Sequence, residues 1–260
     1  MHTNQEKAEA FVRFLEVLDT LREKCPWDSK QTNESLRPNT IEEVYELADA
    51  LMADDVTNIK KELGDVLLHV GFYSKIASEK DRFDIADVCN SLTDKLIFRH
   101  PHIYGNVNAD SPEEVSKNWE QIKLKEKGGN KTVLQGVPKS LPSLIKANRI
   151  QEKAANVGFD WEKPEQVWDK VKEEFSEVET EIKKGDKVKL EEEFGDLLFA
   201  VINAARLYGI NPENALEKTN RKFIRRFGYL ESKANELGKS LKEMTLTEMD
   251  EIWNEAKSFE

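Results

Sequence analysis

Two copies of one acidic pattern hold the most reactive chemistry in this chain. Glu42, Glu43 and Glu46 are followed, after fifteen residues, by Glu62 and Asp65. Glu173, Glu174 and Glu177 are followed at the same spacing by Glu193 and Asp196, 131 residues further on. Glu43 and Glu46, Glu62 and Asp65, and their counterparts are each three apart, so on a helix each pair shares one face about one turn apart. Two such helices packed side by side gather four carboxylates into one small volume. That is costly unless a hard divalent cation neutralises them, and oxygen donors of this kind suit Mg²⁺. The candidate ligands are Glu43, Glu46, Glu62 and Asp65 in the first copy and Glu174, Glu177, Glu193 and Asp196 in the second.

The plain alternative is a solvated acidic helix face, since most charged residues lie at surfaces. Glu43 has an alternative of its own, because Thr40-x-x-Glu43 fits a capping box. Three features favour the metal. Both Asp residues sit in apolar segments, Leu63-Gly64-Asp65-Val66-Leu67-Leu68 and Phe194-Gly195-Asp196-Leu197-Leu198-Phe199. They are therefore expected to be partly buried, and buried charges are paired or metal-bound. Gly64 and Gly195 cost helix propensity, which suggests close approach of a neighbour. All four carboxylate pairs also tolerate like-charge repulsion at i,i+3.

One turn upstream the copies differ. Lys170-Glu174-Glu177 and Lys189-Glu193-Asp196 line up at i, i+4, i+7, whereas Asn39 and Asn58 stand in the first copy. Lysines beside a carboxylate–metal cluster suit phosphate oxygens, and Lys amino-terminal to Glu is the weaker orientation for a simple helix pair. The second copy is therefore expected to be the better polyphosphate site. Lys222, Arg225 and Arg226 add a basic cluster, of which only Lys95 and Arg99 remain in the first half; it suits either a phosphate or a solvated helix end. Trp253 can stack on a base or fill a core. His100-Pro101-His102 reads as a turn. Gly-x-x-x-x-Gly-Lys-Ser/Thr, Gly-x-Gly-x-x-Gly and Gly-x-Ser-x-Gly are all missing from the sequence, so any nucleotide chemistry falls to carboxylates and metal on helices.

The elements that must position these groups read as helix almost throughout, with little period-2 alternation, so the fold class is all-α. Helices are expected at about 4–23, 40–53, 56–79, 84–99, 112–126, 143–156, 164–184, 187–208, 212–237 and 247–258. Ser111-Pro112 with Glu114, and Asn211-Pro212, mark helix starts; Gly185 followed by Asp186 marks an end and a new cap. The break in GGNKTVLQGVPKSLPSL, with Gly128, Gly129, Gly136, Pro138 and Pro142, divides the chain into a helical domain 1–127, a linker 128–143 and a second helical domain 144–260. The halves resemble each other beyond the acidic motif: KLIFRH (95–100) with KFIRRF (222–227), Trp119 with Trp253, and Pro26-Trp27-Asp28 with Phe159-Asp160-Trp161. A duplicated helical bundle accounts for this.

The bulk composition restricts the function classes. The 260 residues are 34% charged with a net charge of −11, a mean hydropathy of −0.66 and a pI near 5.1. An acidic surface argues against a nucleic-acid duplex as partner. No apolar run approaches the ~18 residues of a membrane span. The two cysteines, Cys25 and Cys89, form no disulfide framework, and the amino terminus lacks the pattern of a secretion signal, so a cytoplasmic setting is expected.

KCPWD (24–28), the doubled acidic motif and LQGVPKSLPSLIKANRIQEKAANVGFDW (134–161) together resemble the MazG family of nucleoside triphosphate pyrophosphohydrolases, over nearly the whole chain. The resemblance implies an all-α bundle, a homodimer, and Mg²⁺ on the acidic motifs with Mn²⁺ as a substitute. It implies cleavage of the α–β phosphoanhydride of a nucleoside triphosphate to the monophosphate and pyrophosphate, a broad substrate range, and a part in cleansing nucleotide pools or in stress responses. Glu174, Glu177, Glu193 and Asp196 would ligate the metal. Lys222 and Arg226 would hold phosphates, with Trp253 near the nucleotide. By position Glu173 or Glu192 would orient the attacking water. Glu43, Glu46, Glu62 and Asp65 match in the first half, without its lysines. A narrower dUTP or phosphoribosyl-ATP enzyme, or a non-catalytic nucleotide sensor or scaffold, are the rival expectations.

Overall fold

A computed structural model describes residues 1–107, 111, 115, 122 and 131–259, and among these there are helices and turns but no strand. They fall into two compact units, Met1–Val107 and Asn108–Glu260. The helix expected at 112–126, the cap Ser111-Pro112-Glu114 and Trp119 lie, but for Ser111, Val115 and Ile122, outside the described residues, as do Gly128 and Gly129. The stretch 131–142 consists of turns. No described helix is long and apolar enough to cross a membrane.

The first unit comprises α1 (Asn4–Lys24), α2 (Asn33–Met52), α3 (Val56–Ser78), α4 (Ile85–Arg99) and the single turn α5 (Pro101–Tyr104). Thr3 and Glu6 cap α1 reciprocally. The expectation that α2 begins near residue 40 is corrected. Thr32 and Ser35 form a reciprocal cap at its start, Pro38 lies inside the helix, and Thr40 is an interior residue, so the proposed Thr40–Glu43 capping box does not form. Asp55 caps α3 by accepting from the Thr57 and Asn58 N–H groups. The core joins Leu18 of α1, Leu36 of α2 and Phe72 and Ile76 of α3, with Phe14, Leu68 and Tyr73 packed around them. α1 crosses α3 at Gly71, where an added Cβ would lie 2.7 Å from the Phe14 ring and 2.9 Å from Leu18 Cδ2.

In the second unit α6 (Ser143–Ala155) precedes α7 (Val167–Lys184), α8 (Lys187–Leu207), α9 (Pro212–Glu236) and α10 (Leu246–Ser258). Gly185 ends α7 in the left-handed region at φ 76°, Asp186 caps α8, and Asn211 with Pro212 starts α9, as the sequence signals require. Gln151 of α6 donates to the Phe199 carbonyl at 2.8 Å, tying α6 to α8. The α2–α3 and α7–α8 hairpins are equivalents. Their caps Asp55 and Asp186 are 131 residues apart and accept from the same relative N–H groups.

Two expectations about the apolar segments are corrected. Leu63, Leu67, Phe194, Leu198 and Phe199 are all exposed, and so is Asp196, whereas Asp65 is half-buried. The hairpins bury one flank and leave the other open. Gly64 and Gly195 meet no neighbour either: a Cβ at each would find nothing within 4 Å.

Candidate metal centres

Each hairpin brings three carboxylates together. In the second unit one oxygen each from Glu174, Glu177 and Glu193 lies within 4.8 Å of the others; in the first unit the same holds for Glu43, Glu62 and Asp65. Antiparallel pairing produces this. Glu174 and Glu177 are a turn apart on α7 and Glu193 reaches across from the second turn of α8, whereas in the first hairpin α2 supplies Glu43 alone and α3 supplies Glu62 and Asp65, a turn apart. Of the eight predicted ligands, Glu46 and Asp196 fall outside the two groups of three.

The electrostatics are those of crowded anions. Burial, then the charges of Asp65, Glu46 and Glu62, push the Glu43 carboxyl above its ordinary pKa. Desolvation and the neighbouring Glu174 and Glu193 do the same to Glu177. Glu62 and Glu174 are both buried, and the Oε2 of Glu62 has no hydrogen-bond partner. A buried, unpartnered carboxylate oxygen beside two others is a hard donor set that fits a divalent cation.

Each cluster also meets a lysine, from a different helix in each half. In the second unit Lys170 of α7 places Nζ 2.7 Å from Glu174 Oε1 and 2.9 Å from Glu173 Oε1, and these hydrogen bonds raise its pKa. In the first unit Asn39 stands at that point, and Lys61 of α3 supplies the cation instead. Its Nζ lies 2.9 Å from Glu62 Oε1, 3.7 Å from Asp65 Oδ2 and 3.9 Å from Glu46 Oε2. The hydrogen bond to Glu62, then its charge, raises the Lys61 pKa. The residue equivalent to Lys61 in the second copy is Glu192, which is exposed.

Below the first cluster α2 and α3 share a polar contact that the second copy lacks. The Thr40 hydroxyl lies 3.0 Å from the Leu36 carbonyl and 3.0 Å from His69 Nδ1, with the Tyr73 hydroxyl at 2.5 Å. Val171, Ala200 and Ala204 occupy the equivalent positions. His69 is buried, and its desolvation lowers the imidazole pKa against a smaller opposing effect of Asp65.

The remaining predicted residues divide between two places. Lys189 is exposed in the first turn of α8, where its N–H closes the Asp186 cap. Lys222, Arg225 and Arg226 lie on α9. The Arg226 guanidinium sits 5.8 Å from the Trp253 ring centroid, and Phe223 packs on the same indole at 5.0 Å. Arg225, Arg226, Tyr229, Ala256 and Phe259 line a cavity of about 430 Å³ between α9 and α10. Trp253 is thus half-buried against Phe223 and Arg226.

Sequence reasoning missed Lys61, His69 and a pair of arginine anchors. Arg22 binds Glu79 through two nitrogens, at 2.9 and 2.6 Å, and donates to the Asp28 and Gln31 carbonyls, which fixes the loop carrying Trp27. Arg206 holds Asp160, beside Trp161, through two nitrogens in the second unit. The repeated aromatic entries were the available signal, since a loop of that kind needs an anchor.

Comparison with known proteins follows the same division. The family described as "MazG nucleotide pyrophosphohydrolase domain" matches residues 31–104 and 162–229, a span containing both hairpins. The chain is 43% identical to a nucleoside triphosphate pyrophosphohydrolase of Escherichia coli K12 over 252 residues, covering 94% of this chain and 96% of the relative. It is 45% identical to the nucleoside triphosphate pyrophosphohydrolase/pyrophosphatase MazG of Thermotoga maritima, covering 97% and 98%. It is also 45% identical to the uncharacterized protein YabN of Bacillus subtilis, covering 96% of this chain and 52% of that one. With a match in each half and full-length relatives at this identity, the chain belongs to the MazG nucleotide pyrophosphohydrolase family and carries its domain twice.

Proposed function

We propose that this protein is a nucleoside triphosphate pyrophosphohydrolase that cleaves (d)NTPs between the α- and β-phosphates, in the service of nucleotide-pool cleansing or a stress response. The observation that carries the reading is the convergence of Glu174, Glu177 and Glu193 to within 4.8 Å. The Escherichia coli and Thermotoga maritima relatives carry nucleoside triphosphate pyrophosphohydrolase in their names. Glu174, Glu177 and Glu193 would hold Mg²⁺, or Mn²⁺ in its place, with Asp196 at the edge of the set; Glu43, Glu46, Glu62 and Asp65 are the counterpart. Bound there, the ion would offset polyphosphate charge and polarise the phosphoryl centre. Among the chain's own groups, Glu173 and Glu192 are the carboxylates available to orient a water, and Lys170, Lys189, Lys222, Arg225 and Arg226 would receive phosphate oxygens. Trp253, braced by Phe223, would meet the base.

The two domains, 1–127 and 144–260 joined by 128–143, are proposed to assemble as a homodimer. The support is a matched set of exposed apolar residues: Val44, Leu51, Leu63, Leu67 and Val70 in the first hairpin, and Phe175, Ile182, Phe194, Leu198 and Val201 exactly one repeat later in the second. Exposed apolar faces of this kind call for a covering surface. A cytoplasmic setting accords with the unpaired Cys25 and Cys89.

Product analysis tests the activity. Each ribo- and deoxynucleoside triphosphate, incubated with Mg²⁺, should yield monophosphate and pyrophosphate. Diphosphate and phosphate, or no turnover despite binding, would remove this reading; turnover of dUTP or phosphoribosyl-ATP alone would narrow it.

A further inference from the structure

Lys61 reaches two of the three converging carboxylates of the first cluster, Glu62 and Asp65, and the neighbouring Glu46, from within the cluster's own helix hairpin. Lys170 reaches only one of the three converging carboxylates in the second, Glu174, and spends its other contact on Glu173. At the position of Lys61 the second copy has Glu192, so the two sites differ there by two units of charge. Glu62, the residue Lys61 approaches most closely, is buried and keeps its Oε2 unpartnered, so the donor set around the ammonium is not used up.

Resting on the metal reading above, we infer that Lys61 is a tethered counter-ion that competes with the divalent cation in the first half, so that the two halves load metal with different affinities and the second half fills first. Any cation entering among Glu43, Glu62 and Asp65 meets the ammonium already stationed on two of them. The opposing ion in the second half, Lys170, is stationed on one of the converging three, Glu174. The ammonium hangs on a long, exposed stem, so it can withdraw when the ion enters. Its repulsion, screened by water, amounts to roughly a five- to tenfold change in affinity for one unit charge at about 4 Å.

Titration calorimetry with Mn²⁺ on the full chain, without nucleotide, separates the two halves. Wild type should show a tighter and a weaker class of site, with Glu193→Gln abolishing the tighter one. Lys61→Gln should strengthen the weaker class about five- to tenfold, and Lys61→Glu, which restores the character of the second copy, should strengthen it further; the tighter class should stay put in both. The inference is overturned if Lys61→Gln leaves the weaker class within twofold of wild type, weakens it, or moves both classes together. It is overturned equally if no weaker class exists in either protein. The metal reading fails separately, through Glu193→Gln leaving every class of Mn²⁺ binding unchanged.

Discussion

Asp54, at φ 52°, and Gly185, at φ 76°, occupy the same point of the two hairpins, each just ahead of the aspartate that caps the following helix. Both turns require a left-handed residue, and only the second copy supplies glycine, which adopts that conformation without a Cβ clash. Gly185→Ala should therefore cost about 1–2 kcal/mol, while Asp54→Gly should be neutral or gain up to about 1 kcal/mol, because aspartate tolerates the region better than most residues. Urea unfolding of the two variants against wild type reads both signs. Equal destabilisation by both would contradict the equivalence of the turns.

Glu193 is the sole α8 member of the second converging group. Glu193→Gln keeps its shape and removes its charge, so turnover should fall by about 10²-fold or more while the helical circular dichroism is retained. Near-normal turnover in the variant would dismiss this carboxylate from the site.

Acidity should reveal the crowding. The folded-state pKa values of Glu43 and Glu177 lie above the ordinary value of 4.5, so their protonated forms favour the folded state. The stability they contribute is full below pH 4.5 and is lost as the pH rises through their raised values. With a chelator present, the double variant Glu43→Gln/Glu177→Gln should have a higher urea midpoint than wild type at pH 7, the gap closing as the pH drops below 4.5. Saturating Mg²⁺ should reverse the order at pH 7, since only wild type gains a ligand. A gap independent of pH would mean the two carboxyls titrate normally.

Arg22 is largely buried, its side chain only 8% exposed, and it serves both Glu79 and the Asp28 and Gln31 carbonyls. Arg22→Met retains much of the packing but leaves those acceptors without their donor, at a cost of about 2 kcal/mol. Amide hydrogen exchange should quicken around residues 27–31 well before the α2–α3 hairpin is affected. Uniform exchange across the first unit would place the arginine in the general core instead.

Periodicity and punctuation in the sequence located the hairpins, because Gly185, Asp186 and Asn211-Pro212 act locally and their neighbours do not override them. The start of α2 was hidden by Pro38, which reads as a stop unless the Thr32–Ser35 cap upstream is given weight. Burial was misjudged at Asp196 for a different reason. An apolar run states that a face wants covering, and nothing in one chain's sequence says whether its own helices do so. Lys61 escaped notice because residues one apart do not share a helix face; it is the length of the lysine stem that carries its ammonium to Glu62 and beyond.

The Thr40 hydroxyl owns a single hydrogen and has three neighbours, of which the Leu36 carbonyl alone can only accept. Giving that hydrogen to Leu36 obliges the Tyr73 hydroxyl and His69 Nδ1 both to donate to Thr40. In that arrangement the neutral imidazole is the Nδ1–H tautomer, with a bare lone pair on Nε2. Nitrogen chemical shifts of His69 should carry that signature, and Thr40→Val should let the ring choose again.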